Sequence, residues 1–144
     1  MHIGNCSKYF STFTYLFFSY SPCEFIFIKV CQSGELELVQ SILDELKTKS
    51  VDINVQDATQ KTGLHHAVEN NYELVVNFLL KNKADVNIPD ANGDSALHIA
   101  AMKGHIGITK FLLEHGASLA LMNNVGENSR SSIERKYMSK WTQT

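Results

Sequence analysis

One feature limits the possible folds of this chain more than any other: it repeats itself at a spacing of 33 residues. Asp57 and Asp90 are separated by that distance, as are Thr62 and Ser95, Leu64 and Leu97, His65 and His98, and Ala67 and Ala100. Further along, Asn71 pairs with Gly104, Tyr72 with His105, Phe78-Leu79-Leu80 with Phe111-Leu112-Leu113, and Ala84 with Ala117. A fixed period of this length marks a small supersecondary unit that cannot bury its apolar face alone and must stack on copies of itself.

Within each unit the pattern predicts two short helices. Residues 62–70 read as the first, with Thr62 as N-cap because its hydroxyl can accept an orphan backbone N–H. Asn71 tolerates the positive φ of a tight turn. Residues 73–82 read as the second helix, with Leu74, Val75, Phe78 and Leu79 expected on one buried face. The next unit repeats this over 95–103 and 106–115, and Gly116 ends its second helix as a C′ residue would.

These residues resemble the ankyrin repeat, whose pattern is D-x-x-G-x-T-P-L-H-x-A-A-x-x-G-H, an apolar helix, then G-A-D-x-N. Here it reads Asp90-Ala-Asn-Gly-Asp-Ser-Ala-Leu-His-Ile-Ala-Ala-Met-Lys-Gly-His105 and ends in Gly116-Ala117. The preceding copy reads Asp57-Ala-Thr-Gln-Lys-Thr-Gly-Leu-His-His-Ala67 and closes with Ala84-Asp85-Val86-Asn87. The resemblance implies an all-α solenoid of stacked helix-turn-helix units with short hairpin-like loops. Thr62, Leu64, His65, Ala67, Ser95, Leu97, His98, Ala100 and Gly104 are then structural motif positions. His65 and His98 would hydrogen-bond near their helix starts and bridge neighbouring loops.

Weaker copies flank the two full ones (57–89 and 90–122). Upstream, 24–56 reads as a partial repeat in which Val30-Cys-Gln-Ser-Gly34, Leu38-Val39 and Ile42-Leu43 lead to Val51-Asp52-Ile53-Asn54. Gly34 lies 37 residues before Asn71, so about four residues are extra, expected within 44–50. Downstream, 123–126 opens a degenerate fourth unit in which Asn128-Ser129-Arg130 replaces Thr-Pro-Leu. Gly63 and Ala96 stand where proline would favour the first helical turn. Lys83 stands where glycine would take a left-handed conformation, at a cost of roughly 1–2 kcal/mol.

The ends differ from the repeats. Nine of the 14 aromatic residues lie in residues 1–30, and Cys6, Cys23 and Cys31 all lie in the first 31. Three cysteines without zinc spacing argue against a disulfide scaffold and for a reducing compartment. Residues 9–23 carry no charge, but Ser11, Thr12, Thr14, Ser19, Ser21 and Pro22 interrupt a run that would need about 20 mainly apolar residues to span a bilayer. The order Lys8, Phe10 to Phe18, Ser19 imitates a signal peptide, against which Pro22 argues. The favoured reading of 1–23 is an aromatic-rich extension, poorly ordered or misassigned. Residues 24–126 hold 13 acids and eight bases, whereas the tail, 127–144, holds two acids and four bases. In that tail Ser131 and Glu134 have capping-box spacing, and Ile133, Tyr137 and Trp141, flanked by Met138, form a helical stripe expected to cap the last repeat, with a helix docking on a partner or a frayed basic tail as the alternatives.

No catalytic constellation emerges. His65, His66 and Glu69 lack the His-Glu-x-x-His order of a zinc protease, and His66 and His105 read as packing or turn residues. No glycine-rich phosphate loop or nucleophile elbow is present. Cys31 falls inside a packed helix. Asp52, Asp57, Asp85 and Asp90 recur at repeat junctions as turn caps, without the acid ladder of a calcium loop. We therefore expect no enzyme activity, cofactor or metal.

The expected function is protein–protein interaction, in which loop tips and first helices are displayed to a protein partner. The resemblance places that surface at Ala58, Thr59, Lys61, Glu69 and Asn70 in one repeat. The next contributes Ala91, Asn92, Asp94, Met102 and Lys103, and the degenerate unit adds Asn124, Val125 and Glu127. Charge reversal at Lys61 and Asp94 should then weaken binding without unfolding the domain. Net charge of −2 gives no reason to expect nucleic acid, and neither a small-molecule substrate nor a membrane is expected. The chain should act as a cytoplasmic or nuclear monomer. Two alternatives stand beside this: a fragment of a longer ankyrin-repeat channel, kinase or scaffold, and a membrane-anchored binder held by residues 9–23.

Overall fold

The computed structural model describes residues 22–141, with side chains described for residues 23–137. The aromatic extension up to residue 21, including Cys6, and the side chains of Met138 and Trp141 lie outside the described residues. Seven helices follow one another: α1 (Pro22–Ser33), α2 (Leu36–Thr48), α3 (Gly63–Glu69), α4 (Glu73–Lys81), α5 (Ala96–Lys103), α6 (Ile106–Glu114) and α7 (Ser129–Trp141). Each of the first three pairs forms an antiparallel hairpin. The odd-numbered helices α1, α3, α5 and α7 pack in series as an inner layer, and α2, α4 and α6 as an outer one. This is the stacked all-α solenoid that the period requires.

The period is also written in the backbone. Positive φ recurs at the loop tips (Gln60, Gly93, Gly126), between paired helices (Gly34, Asn71, Gly104) and after each outer helix (Ser50, Lys83, Gly116). Lys83 adopts φ 67° where its counterpart Gly116 has 86°, so the expected left-handed lysine is present. The four extra residues of the first unit form about one more helical turn: α2 has 13 residues, α4 and α6 nine each. With α1 complete, the segment 24–56 supplies both helices of a repeat rather than its later part alone.

One apolar core runs through the stack, including Phe27, Cys31, Val39, Ile42, Leu46, Leu64, Leu79, Leu97, Ile108 and Leu112. Burial pushes the Cys31 thiol up to about 12, which fits an apolar packing role. Its Sγ would lie 2.8 Å from any Cβ added to Gly63. That contact explains why neither proline nor alanine stands at the start of α3.

Two sequence expectations shift. The buried stripe of α4 is Val75, Val76, Leu79 and Leu80, and Leu74 is 71% exposed. The period is as read, but the face is rotated by one residue because α4 packs on α3 and also sideways on α2 and α6. In the tail, Ser131 and Glu134 do not form a capping box. Helix α7 begins earlier, and Asn128 Oδ1 accepts the Ser131 N–H at 2.9 Å. Glu134 instead takes Arg130 Nε at 3.1 Å. Ile133 packs against the core and Tyr137 is half-buried.

Candidate interaction surface

The loop tips share one construction. Asp57 Oδ1 accepts the N–H groups of Thr59 (2.8 Å) and Lys61 (3.0 Å). Asp90 Oδ1 does the same for Asn92 (2.8 Å) and Asp94 (3.0 Å), and Asn123 Oδ1 for Val125 (3.2 Å) and Glu127 (2.9 Å). These Asx-type bonds hold each tip in a tight turn. Burial raises the Asp57 pKa, but bonds from Thr59, His66 and Lys61 outweigh it and hold the carboxyl below its ordinary range.

Neighbouring tips are joined by backbone. Ala91 N–H donates to Thr59 O at 3.0 Å, and Asn124 N–H to Asn92 O at 2.9 Å. Beneath them the two histidines make the expected bridges. His65 Nδ1 accepts the Thr62 N–H (3.1 Å), which leaves the proton on Nε2 to donate to Asp94 O (3.2 Å). His98 repeats this with Ser95 N–H (3.1 Å) and Glu127 O (3.1 Å). Burial holds the His65 pKa below its ordinary value, so the imidazole is kept neutral. On the far edge a second ladder runs through side-chain amides: Asn54 Oδ1 accepts Asp85 N–H (2.8 Å), and Asn87 Oδ1 accepts Ser118 N–H (2.9 Å). Asp52 and Asp85 each cap their own turn, taking Asn54 N–H and Asn87 N–H at 2.9 Å.

Most of the sequence-derived surface residues are accessible. Ala58, Thr59, Asn70, Ala91, Asn92, Met102, Lys103, Asn124 and Val125 are exposed, and Lys61, Glu69 and Glu127 are half-buried. Lys61 Nζ donates to Glu69 at 2.8 Å and thereby lowers the Glu69 pKa. Asp94 differs: it is 7% exposed, and its Oδ1 accepts Asn123 Nδ2 at 2.8 Å. Its carboxylate holds the next tip, so reversing its charge would disturb the stack as well as any contact. His66 is also buried, with Nε2 2.7 Å from Asp57 Oδ2.

A comparison with family profiles matches residues 26–123 to ankyrin repeats in three copies. The chain belongs to the ankyrin-repeat family. Ankyrin-repeat domains are typically non-catalytic interaction modules, and protein–protein interaction is their general role. No curated protein matches this ankyrin chain. Among the described residues, no helix is long and apolar enough to cross a membrane, and no group of three or more His, Cys, Asp or Glu is placed to hold a metal. Of the anchor segment 9–23, residues 9–21 lie outside the described residues.

Sequence reasoning missed the far end of the ankyrin inner face. Between α5 and α7 lies an open cleft of about 390 Å³ lined by Ala101, Met102, Glu127, Ser132, Arg135 and Lys136. The signal was available: Arg135 and Lys136 follow Met102 and Lys103 by one period. Loss of the Thr-Pro-Leu motif hid that α7 continues the inner layer.

Proposed function

We propose that the protein is a non-catalytic interaction module that holds a protein partner against its loop tips and the inner helices α3, α5 and α7. It acts as a monomer in a reducing compartment, cytoplasmic or nuclear. The observation that carries this reading is the backbone stitching of the tips through Ala91 N–H and Asn124 N–H. It fixes the spacing of a row of exposed side chains, Ala58, Thr59, Ala91, Asn92, Asn124 and Val125, so a partner meets a surface already ordered. Little conformational entropy remains to be lost on binding. The mixed polar and apolar character of the row suits a protein surface better than a phosphate backbone.

The test is capture of native partners by the full chain and by the double variant Ala58→Arg, Asn92→Arg. The reading expects the captured proteins to be lost while helical circular dichroism and melting stay as in the parent. Unchanged capture by the folded variant would overturn it.

A further inference from the structure

The inner face changes character along the stack. At one register position it carries Glu69, then Met102, then Arg135, and at the next Asn70, Lys103 and Lys136. The same geometric site therefore passes from acidic to apolar to basic over three repeats.

The cleft described above lies at the basic end. Ala101 and Ser132 are buried at its floor, and Met102, 47% exposed, forms an apolar wall. Lys136 Nζ donates to Met102 O at 2.6 Å, which ties α7 to the last turn of α5. Arg135 stands at the rim, 63% exposed, with one terminal nitrogen 3.0 Å from Glu127 and Nε 3.4 Å from Ser131 O. A guanidinium has five N–H donors, so several remain for a second carboxylate. The acids nearby are already engaged: Glu127 with Arg135, Glu134 with Arg130, Glu69 with Lys61. Lys103 is exposed, beside Met102, and near enough to Glu69 to help lower its pKa.

We infer that the α5–α7 cleft docks an acidic peptide segment, seating one apolar side chain against Met102 and Ala101 and its flanking carboxylates on Arg135 and Lys103. The inference rests on the inner-face reading above and names the chemistry of the partner. A peptide fits better than a nucleic acid because the floor is apolar and the cations are few, whereas a phosphate backbone is held by a longer basic track.

The test uses the full chain and a fluorescent peptide with one leucine between runs of glutamate, followed by anisotropy. Binding is expected to weaken with salt. Arg135→Glu, Lys103→Glu and Met102→Glu should each weaken it about tenfold or more, and Lys110→Glu on the outer helix α6 should leave it unchanged. Glu127→Gln should tighten it, because it releases the guanidinium from its internal partner; a purely structural role for the Arg135–Glu127 pair would not give that sign. Equal binding of a peptide with lysine in place of glutamate would overturn the inference. So would equal competition by a single-stranded oligonucleotide, or an unchanged affinity in folded Arg135→Glu. If the acidic peptide fails to bind but Ala58→Arg, Asn92→Arg still abolishes native capture, the cleft inference falls and the inner-face reading stands. If neither responds, both fall.

Discussion

Leu80 and Leu113 occupy the same place in successive outer helices, yet Leu80 is 4% exposed and Leu113 39%. Val86 and Leu119 repeat the contrast at 6% and 39%. On the inner layer, Leu64 and Leu97 are buried at 2% and 0%, whereas Arg130, one period later, has a side chain 71% exposed and paired with Glu134. Residue type explains the last change but not the first two. A position in the middle of the stack is buried by the unit that follows it, and among the described residues no outer helix follows α6. Stability in this molecule is therefore shared between neighbours, as expected for a nearly one-dimensional array.

The sharpest test of that comparison is a pair of identical substitutions. Leu80→Ala should cost about 2–4 kcal/mol in urea unfolding, and Leu113→Ala less than about 1 kcal/mol. Equal losses would mean that burial by the neighbour is not what distinguishes the two sites.

A second pair probes the bridges. His65→Ala removes the acceptor of Thr62 N–H and the donor to Asp94 O, and should cost about 2–3 kcal/mol. Asn128→Ala, at the simpler terminal cap, should cost about 1 kcal/mol by the same measurement. His65 also sets a pH dependence. Its folded pKa lies below its ordinary value of 6.5, so below pH 6.5 the unfolded chain binds protons that the folded one refuses. Its contribution is fully present above that pH and is lost as pH falls toward the folded pKa. The urea midpoint should fall across this window in the parent and fall less in His65→Gln.

Smaller effects complete the contrast. Ser129 Oγ is buried and has no hydrogen-bond partner among the described residues, where Gly63 and Ala96 present no polar atom. Ser129→Ala should therefore stabilise the chain by about 1 kcal/mol, read as a raised melting temperature. Lys83→Gly relieves the left-handed lysine but loosens the unfolded chain, for a net gain of about 0.5 kcal/mol. A loss on either substitution would contradict the register drawn here.

Much of this was readable in the sequence because the period carries its own geometry. Asp57 and Asp90 mark the tips, His65 and His98 the bridges, and Asn71 and Gly104 the turns between helices. What could not be read depended on partners outside the repeat unit. Leu74 looked like a core residue because periodicity fixes spacing but not the rotation of a helix about its axis. Asp94 looked like a surface acid because its partner, Asn123, belongs to the next tip. The beginning of α7 was placed too late because Asn128 caps the helix without the Thr-Pro-Leu pattern.

The stitching of the tips has one more consequence. It runs through main-chain atoms and the Asn123 and Asn124 amides, so the methyl groups of Ala58 and Ala91 and the side chains of Asn92 and Val125 take no part in it. The molecule thus separates what keeps it upright from what it says to a partner. Those four positions can be rewritten one by one, toward tighter, weaker or entirely different recognition, while the stack beneath them keeps the same stability.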